Sequence, residues 1–294
     1  MIKDLVKGES ANYSRHNPEK RFLFDIVANK RNSFDLDKLD YLNRDLKHTR
    51  INEAHINYKR IIKHASIIDN KIAYNRKIYN DINLVFNRRF ELFKQVYLHK
   101  TCMAIEFMVA EALVKANPVY RFDEIISKPE EYIRLMHDDL LHVIKKSRKP
   151  ELQDSANILR RIDQRDLFKC AGESIIHKDW KRLITKEDII GYQDMNLAVN
   201  GQGLRPEDLK VHIFKVDWGN DESYPLDNMH FFTLNSNSQP VACELPRYGT
   251  TQYRPKQNFE YRVRVFVKDS TKEALAKSAF ARYSKKNGGL RNLP

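Results

Sequence analysis

The sequence predicts a mainly α-helical chain that ends in a small α+β lobe. Three observations lead there. Long stretches of the first two thirds set apolar residues at helical spacing among good helix formers. The breaks between those stretches fall near Pro118, Pro129 and Pro150. After about residue 190 the texture changes to short runs rich in β-branched and aromatic residues.

Taken in order, "DKLDYLNRDLKH" (37–48), "NYKRIIKHASII" (57–68), the long run 78–116, "PEEYIRLMHDDLLHVIKK" (129–146) and "LQDSANILRRID" (152–163) read as helices. "NGQGLRPED" (200–208) is rich in turn residues. "KVHIFKVDW" (210–218), "NMHFFTLN" (228–235) and "YRVRVFVKD" (261–269) read as strands. "STKEALAKSAFARYSKK" (270–286) is a closing helix with a Ser or Thr cap. The expected division is a helical domain over 1–190 and an α+β lobe over 191–294.

With 294 residues and 41% hydrophobic content, the chain can bury a real core. Its formal charge of +13 favours anionic partners, among them nucleotides and nucleic acid, without choosing between them. Cys102, Cys170 and Cys243 are too sparse and too far apart for a disulfide framework or a zinc motif. "MIKDLVKGES" has no apolar core of a signal peptide. The most apolar run, 101–114, is too short to span a bilayer and carries Glu106 and Glu111. A soluble intracellular protein with no membrane partner is expected, with the nucleus ahead of the cytoplasm.

The stretch "SFDLDKLDYLNRD" (33–45) is dense in carboxylates. On a helix, Asp37, Tyr41, Asp45 and Lys38 share one arc, and Leu39, Leu42 and Leu46 form the neighbouring apolar stripe. Asp40 and Arg44 make an i,i+4 pair on the remaining surface. The first arc joins a possible metal ligand, a cation, an aromatic ring and a second carboxylate. A plain solvated face and a binding face are both compatible with this pattern.

Three longer motifs carry a resemblance. "FLFDIVANKRNSFDLDKLDYLNRD" (22–45) is similar to "NKRNGxDVDKxDYxxRD" of the sterile-alpha-motif and HD-domain deoxynucleoside triphosphate triphosphohydrolases. "RRFELFKQVYLHK" (88–100) and "IDQRDLFKCAGE" (162–173) resemble that family's "TRNSLHRRAYQHK" and "IEYRNLFKYVGE". The matches keep their order and approximate spacing. The resemblance implies an HD-type helical domain, incomplete at its N-terminus, followed by a regulatory and oligomerisation lobe. It implies metal-dependent hydrolysis of a dNTP to deoxynucleoside and triphosphate.

By that resemblance Asp37 is a ligand of a divalent metal (Mg, Mn, Fe or Zn) and Lys38 neutralises the triphosphate. Tyr41 and Asp45 line the deoxyribose, and Tyr41 would exclude a ribose 2′-hydroxyl. Arg89 supplies a forked phosphate contact, and Tyr97, two turns later, walls the sugar. A regulatory nucleotide site for GTP or dNTP activators, built between subunits of a homo-oligomer, maps to Arg60, Lys77, His99, Lys100, Arg165, Lys169 and Lys268. Arg165 and Lys169 read as an i,i+4 pair. Arg262, Arg264, Phe266 and Lys268 read as one face of a strand. Three positions depart from the family: Leu98 replaces a glutamine, Asn75 an arginine and Asp81 an asparagine.

The family's catalytic histidine and its His-Asp pair lie roughly a hundred residues or more before the "DVDK" aspartate. Here 36 residues precede Asp37, and His16 is the one histidine among them. The chain therefore reads as the C-terminal portion of a family protein, with little or no hydrolysis expected from it alone. His137-Asp138 follows Asp37 and reads as helix surface. The competing reading is a non-catalytic basic module that binds nucleotide or single-stranded nucleic acid.

Overall fold

The "NKRNSFDLDK" segment folds as a knot of short polar side chains that launches a helix. Asn29 Oδ1 accepts from the amides of Arg31 (3.0 Å) and Asn32 (3.3 Å), and its own amide group donates to the Phe34 carbonyl (3.1 Å). Asn32 Oδ1 accepts from the Phe34 amide (3.0 Å). Asp35 then caps the helix: Oδ1 accepts from Lys38 N (3.0 Å) and Oδ2 from Asn29 N (3.1 Å). One carboxylate thus ties the loop to the first helical turn. Ser33 sits at φ 56, in the left-handed region, where the family motif has glycine.

The computed structural model describes residues 2–8, 18–51, 56–137, 139–179, 184–193, 202–219, 223–245, 257–287 and 291–292. The chain divides into two compact units, Met1–Tyr97 with Lys215–Glu260 and Leu98–Phe214 with Tyr261–Pro294.

In the first unit, α1 (Ile2–Lys7) and α2 (Phe22–Val27) precede the capped helix α3 (Leu36–Thr49). The predicted apolar stripe is the buried face of α3: Leu39, Leu42 and Leu46 join Phe34, Ile78, Ile82, Val85 and Phe86 in one core. The Asp40–Arg44 pair forms at 2.8 Å. The segment expected as one helix over 57–68 is corrected. A short helix α4 (Tyr58–Lys63), capped by Asn57, stops at His64, and β1 (Ala65–Ile68) pairs antiparallel with β2 (Lys71–Asn75). Asp69 and Asn70, at φ 48 and 58, make the two-residue turn that suits the twist of a hairpin. With β5 (His230–Leu234) and β6 (Pro240–Cys243) they form a sheet of order β1-β2-β5-β6.

The long helical run after residue 78 is also corrected. It forms α5 (Tyr79–Leu92), a π-helical turn at Phe93–Tyr97, and a break in which His99 caps the next helix through Nδ1 (3.3 Å to Thr101 N). An i→i+5 turn re-aims the side chains that follow it. Here it directs Tyr97 towards α3.

The second unit starts with α6 (Lys100–Tyr120). Pro118 lies inside it rather than ending it, since the helix closes two residues later with Arg121 at φ 55. The expected helix over 129–146 is two: α8 (Pro129–His137), preceded by the short α7 (Phe122–Ile125), and α9 (Leu140–Lys146), capped by Asp139. α10 (Gln153–Asp163) packs on α6, where Ser155 Oγ donates to the Ala112 carbonyl at 2.6 Å. A second sheet of order β4-β7-β3-β8 contains β3 (Lys169–Ile176), β4 (Leu209–Asp217, whose last residues belong to the first unit), β7 (Phe259–Val267) and β8 (Arg291–Asn292). β3 was not anticipated as a strand. Its Gly172 lets α12 (Glu273–Lys286) approach: a Cβ there would stand 2.3 Å from the Phe280 ring. α11 (Lys186–Ile190) starts from a capping box of Thr185 and Asp188. The expected Ser or Thr cap is corrected: Asp269 caps the 3-10 turn Ser270–Lys272, and α12, which follows it, has no side-chain cap. The three cysteines are free thiols. No helix among the described residues is long and apolar enough to cross a membrane.

Asp35 holds two elements at once, so its loss should exceed that of an ordinary cap. Asp35→Ala is expected to cost about 2 kcal/mol in chemical denaturation and Asp35→Asn less than half of that.

Candidate functional site

α3 presents Lys38, Tyr41 and Asp45 beside its apolar stripe, and α5 with its π turn brings Arg89, Phe93 and Tyr97 to them. Lys38 is only 9% exposed. Burial lowers its pKa; the charges of Asp35, Asp37 and Asp217 oppose that, and the charge of Arg89 adds to it. Tyr41 hydrogen-bonds with Arg89. Burial raises the phenol's pKa, and the neighbouring guanidinium pulls it back. Asp37 is exposed at the outer edge of this arc, close enough for its charge to act on both Lys38 and Tyr41.

Arg89 is held from several sides. Its Nη1 donates to the Asp217 carbonyl (2.7 Å) and to Asp217 Oδ1 (3.2 Å), and its guanidinium lies 4.2 Å from the Phe93 ring centroid. The Phe93 ring meets Tyr97 edge-on at 5.0 Å. The Tyr97 hydroxyl donates to Asp45 Oδ2. Burial and that bond to a carboxylate both raise the Tyr97 pKa, so the phenol stays protonated at neutral pH. Arg44 Nε stands 3.7 Å from the other Asp45 oxygen. The structure therefore gathers Asp37, Lys38, Tyr41, Asp45, Arg89 and Tyr97 around one neighbourhood of the first unit. The arrangement offers two cations, one buried and one fixed as a fork, next to a phenol wall and a carboxylate.

Asp37 has no companions for a metal among the described residues. Among the described residues no three His, Cys, Asp or Glu groups converge in a way that could hold an ion. The donor set present does not fit a bound divalent cation. His16 and Asp138 lie outside the described residues.

The residues assigned by resemblance to a regulatory site fall in both units. In the first, Arg60 pairs with Asp81 at 3.1 Å, and Lys77 and Arg60 both act on His64, lowering its pKa after a larger effect of desolvation. Two of the departures from the family have local roles here: Asp81 engages Arg60, and Asn75 caps the turn Arg76–Ile78 by accepting from Lys77 N (3.1 Å). In the second unit, the helical pairing of Arg165 with Lys169 is corrected. α10 ends at Asp163, Arg165 takes φ 61, and Lys169 opens β3. Lys268 is not a solvated charge but binds Glu111 at 2.6 Å. Arg262 and Arg264 do share a strand face, and both are buried on Glu173 (2.8 Å from Arg262 Nη1, 2.7 Å from Arg264 Nε). Arg264 also donates to the Leu98 carbonyl at 2.7 Å. His99 and Lys100 stand at the start of α6.

Sequence reasoning missed Asp217, Phe93 and Gly219. Asp217 is 128 residues from Arg89 and looked like the end of a strand. Gly219, at φ 104, donates its amide to Asp217 Oδ1 (2.7 Å) and lies against the Arg89 side chain.

The buried lysine makes a pH test possible. Lys38 titrates near 10.5 when unfolded and below that when folded, so in the interval between the two values the unfolded state binds more protons. Stability contributed by this group rises with pH through that interval and is lost as pH falls through the folded value. The unfolding free energy of wild type minus that of Lys38→Met, from urea melts, is expected to increase as pH approaches 10.5.

Comparison with known proteins gives the same direction. No protein-family model matches the chain. It is 32% identical over 290 residues to the deoxynucleoside triphosphate triphosphohydrolase SAMHD1 homolog of Dictyostelium discoideum, covering 97% of this chain and 53% of that protein. It is 30% identical over 284 residues to deoxynucleoside triphosphate triphosphohydrolase SAMHD1 of Homo sapiens, covering 90% and 44%. An HD domain-containing protein of Acanthamoeba polyphaga mimivirus is 32% identical over 143 residues, 48% of this chain and 30% of that one. Spanning about half the length of the curated relatives it matches, the chain belongs to the family of SAMHD1-type deoxynucleoside triphosphate triphosphohydrolases.

Proposed function

We propose that the α3–α5 site grips the triphosphate and deoxyribose of a dNTP, and that in the whole protein this grip serves hydrolysis to deoxynucleoside and triphosphate. The observation that supports the reading most is the approach of a buried lysine and a clamped arginine beside two tyrosines on adjacent helices. A buried ammonium is costly without anions near it, and a triphosphate supplies several negative charges. A bound polyphosphate would add negative charge beside Lys38 and raise its pKa back towards the ordinary lysine range. Arg89 offers donors to a phosphate beyond the Nη1 used by Asp217. Tyr41 would pack on the sugar where a 2′-hydroxyl would clash. The Asp45 carboxylate would accept from the 3′-hydroxyl while Tyr97 holds it from the other side.

Asp37 is the carboxylate this chain would lend to a divalent metal. Arg60, Lys77, His99, Lys100, Arg165, Lys169 and Lys268 are the cations we assign to a regulatory GTP or dNTP site, shared between copies in a homo-oligomer. We take residues 1–190 as the C-terminal part of the HD-type domain and 191–294 as its regulatory lobe, acting on dNTP inside the cell and in the nucleus.

Because the grip comes from protein cations, dNTP binding by the purified chain should persist in EDTA. Lys38→Ala and Arg89→Ala should each weaken it at least about tenfold, in calorimetry at fixed salt. Loss of binding in EDTA, or affinity indifferent to both substitutions, contradicts the proposal. Binding that tracks single-stranded DNA length, ignores the base and falls steeply with salt would favour a nucleic-acid module instead.

A further inference from the structure

The cation expected to meet the phosphates is already facing a carboxylate. Asp217 Oδ1 receives two donors, Arg89 Nη1 at 3.2 Å and Gly219 N at 2.7 Å. Its Oδ2 stands 3.8 Å from Lys215 Nζ. Its charge is also felt at Lys38. One carboxylate therefore stands within ion-pair distance of two cations, Arg89 and Lys215.

The backbone around it does a different job. The Asp217 carbonyl takes the shorter bond from Arg89, 2.7 Å. Gly219, at φ 104, lies so close that a Cβ would stand 3.1 Å from Arg89 Cδ and 3.2 Å from Nε. Phe93 covers the guanidinium at 4.2 Å. The arginine is thus oriented by a carbonyl, a glycine and a ring. The Asp217 side chain adds one negative charge to that clamp.

We propose that Asp217 is a positioning and charge-limiting residue of the nucleotide site: its turn aims Arg89, and its carboxylate holds the grip on polyphosphate below what the cations alone would give. This rests on the dNTP-binding reading of the same site. It explains how the site avoids becoming a trap for any polyanion in a chain of formal charge +13. Two like-sized side chains, Asp and Asn, separate the two jobs. Asparagine keeps an acceptor for Gly219 and leaves the Arg89-to-carbonyl bond in place, but it removes the charge.

The test is titration of the purified chain with inorganic triphosphate and with deoxynucleoside tri-, di- and monophosphates at one ionic strength. Asp217→Asn is expected to bind triphosphates about fivefold tighter or more, with the gain shrinking from tri- to di- to monophosphate, because the removed repulsion scales with ligand charge. A merely structural role would lower affinity and would not order its effect by phosphate number. Gly219→Ala, whose Cβ displaces Arg89, is expected to weaken binding severalfold while Lys38 is untouched. It serves as the second arm should Asp217→Asn fail to fold, as read by circular dichroism. Wild-type binding that depends on Lys38, together with unchanged or weaker binding by Asp217→Asn, overturns this inference and leaves the site reading intact. Unchanged binding by Gly219→Ala also overturns it. No wild-type binding of any of these ligands sinks the site reading itself, and this inference with it.

Discussion

A buried ammonium on the first turn of α3 is the constraint from which the rest of the site follows. Removing a charge from water costs several kcal/mol unless opposite charges and hydrogen bonds replace the lost solvent. Lys38 has Asp35, Asp37 and Asp217 within range of its field, and burial still lowers its pKa. Those charges do not fully offset the loss of solvent. A strongly anionic ligand would supply what is missing, which is why burial of this one side chain says more about function than the overall charge of +13.

The scaffold fixes the backbone that carries Lys38. Asp35 fixes the start of its helix, and Leu39, Leu42 and Leu46 bury the neighbouring stripe. α5 packs in the same core and carries Arg89, and the π turn after it delivers Tyr97 to Asp45. Each contact depends on a separation that the chain alone does not reveal: 52 residues between Asp45 and Tyr97, and 128 between Arg89 and Asp217. The site is therefore a product of tertiary packing in which local helix pattern supplies only the first half.

That division also explains what the amino-acid sequence made legible. Helix period alone separated the Lys38–Tyr41–Asp45 arc from the leucine stripe. Family resemblance, not period, pointed to Arg89 and Tyr97. The β1–β2 hairpin had a local signal in Asp69-Asn70 between apolar runs, which helical spacing in "YKRIIKHASII" masked. β3 follows a helix end at which Arg165 turns left-handed, and neither feature has a strong local pattern. Asp217 and Gly219 were invisible because their meaning lies in Arg89. Pro118 marked the end of α6 to within two residues, and the last turn tolerates the hydrogen bond that its missing N–H removes.

The most direct measurement is a crystal structure of this chain with a dNTP diffused in under chelating conditions. The account predicts triphosphate oxygens within hydrogen-bonding distance of Lys38 Nζ and the Arg89 guanidinium, with the deoxyribose between Tyr41 and Tyr97. A nucleotide bound elsewhere on the chain, with Lys38 still buried among carboxylates and no ligand beside it, would contradict it.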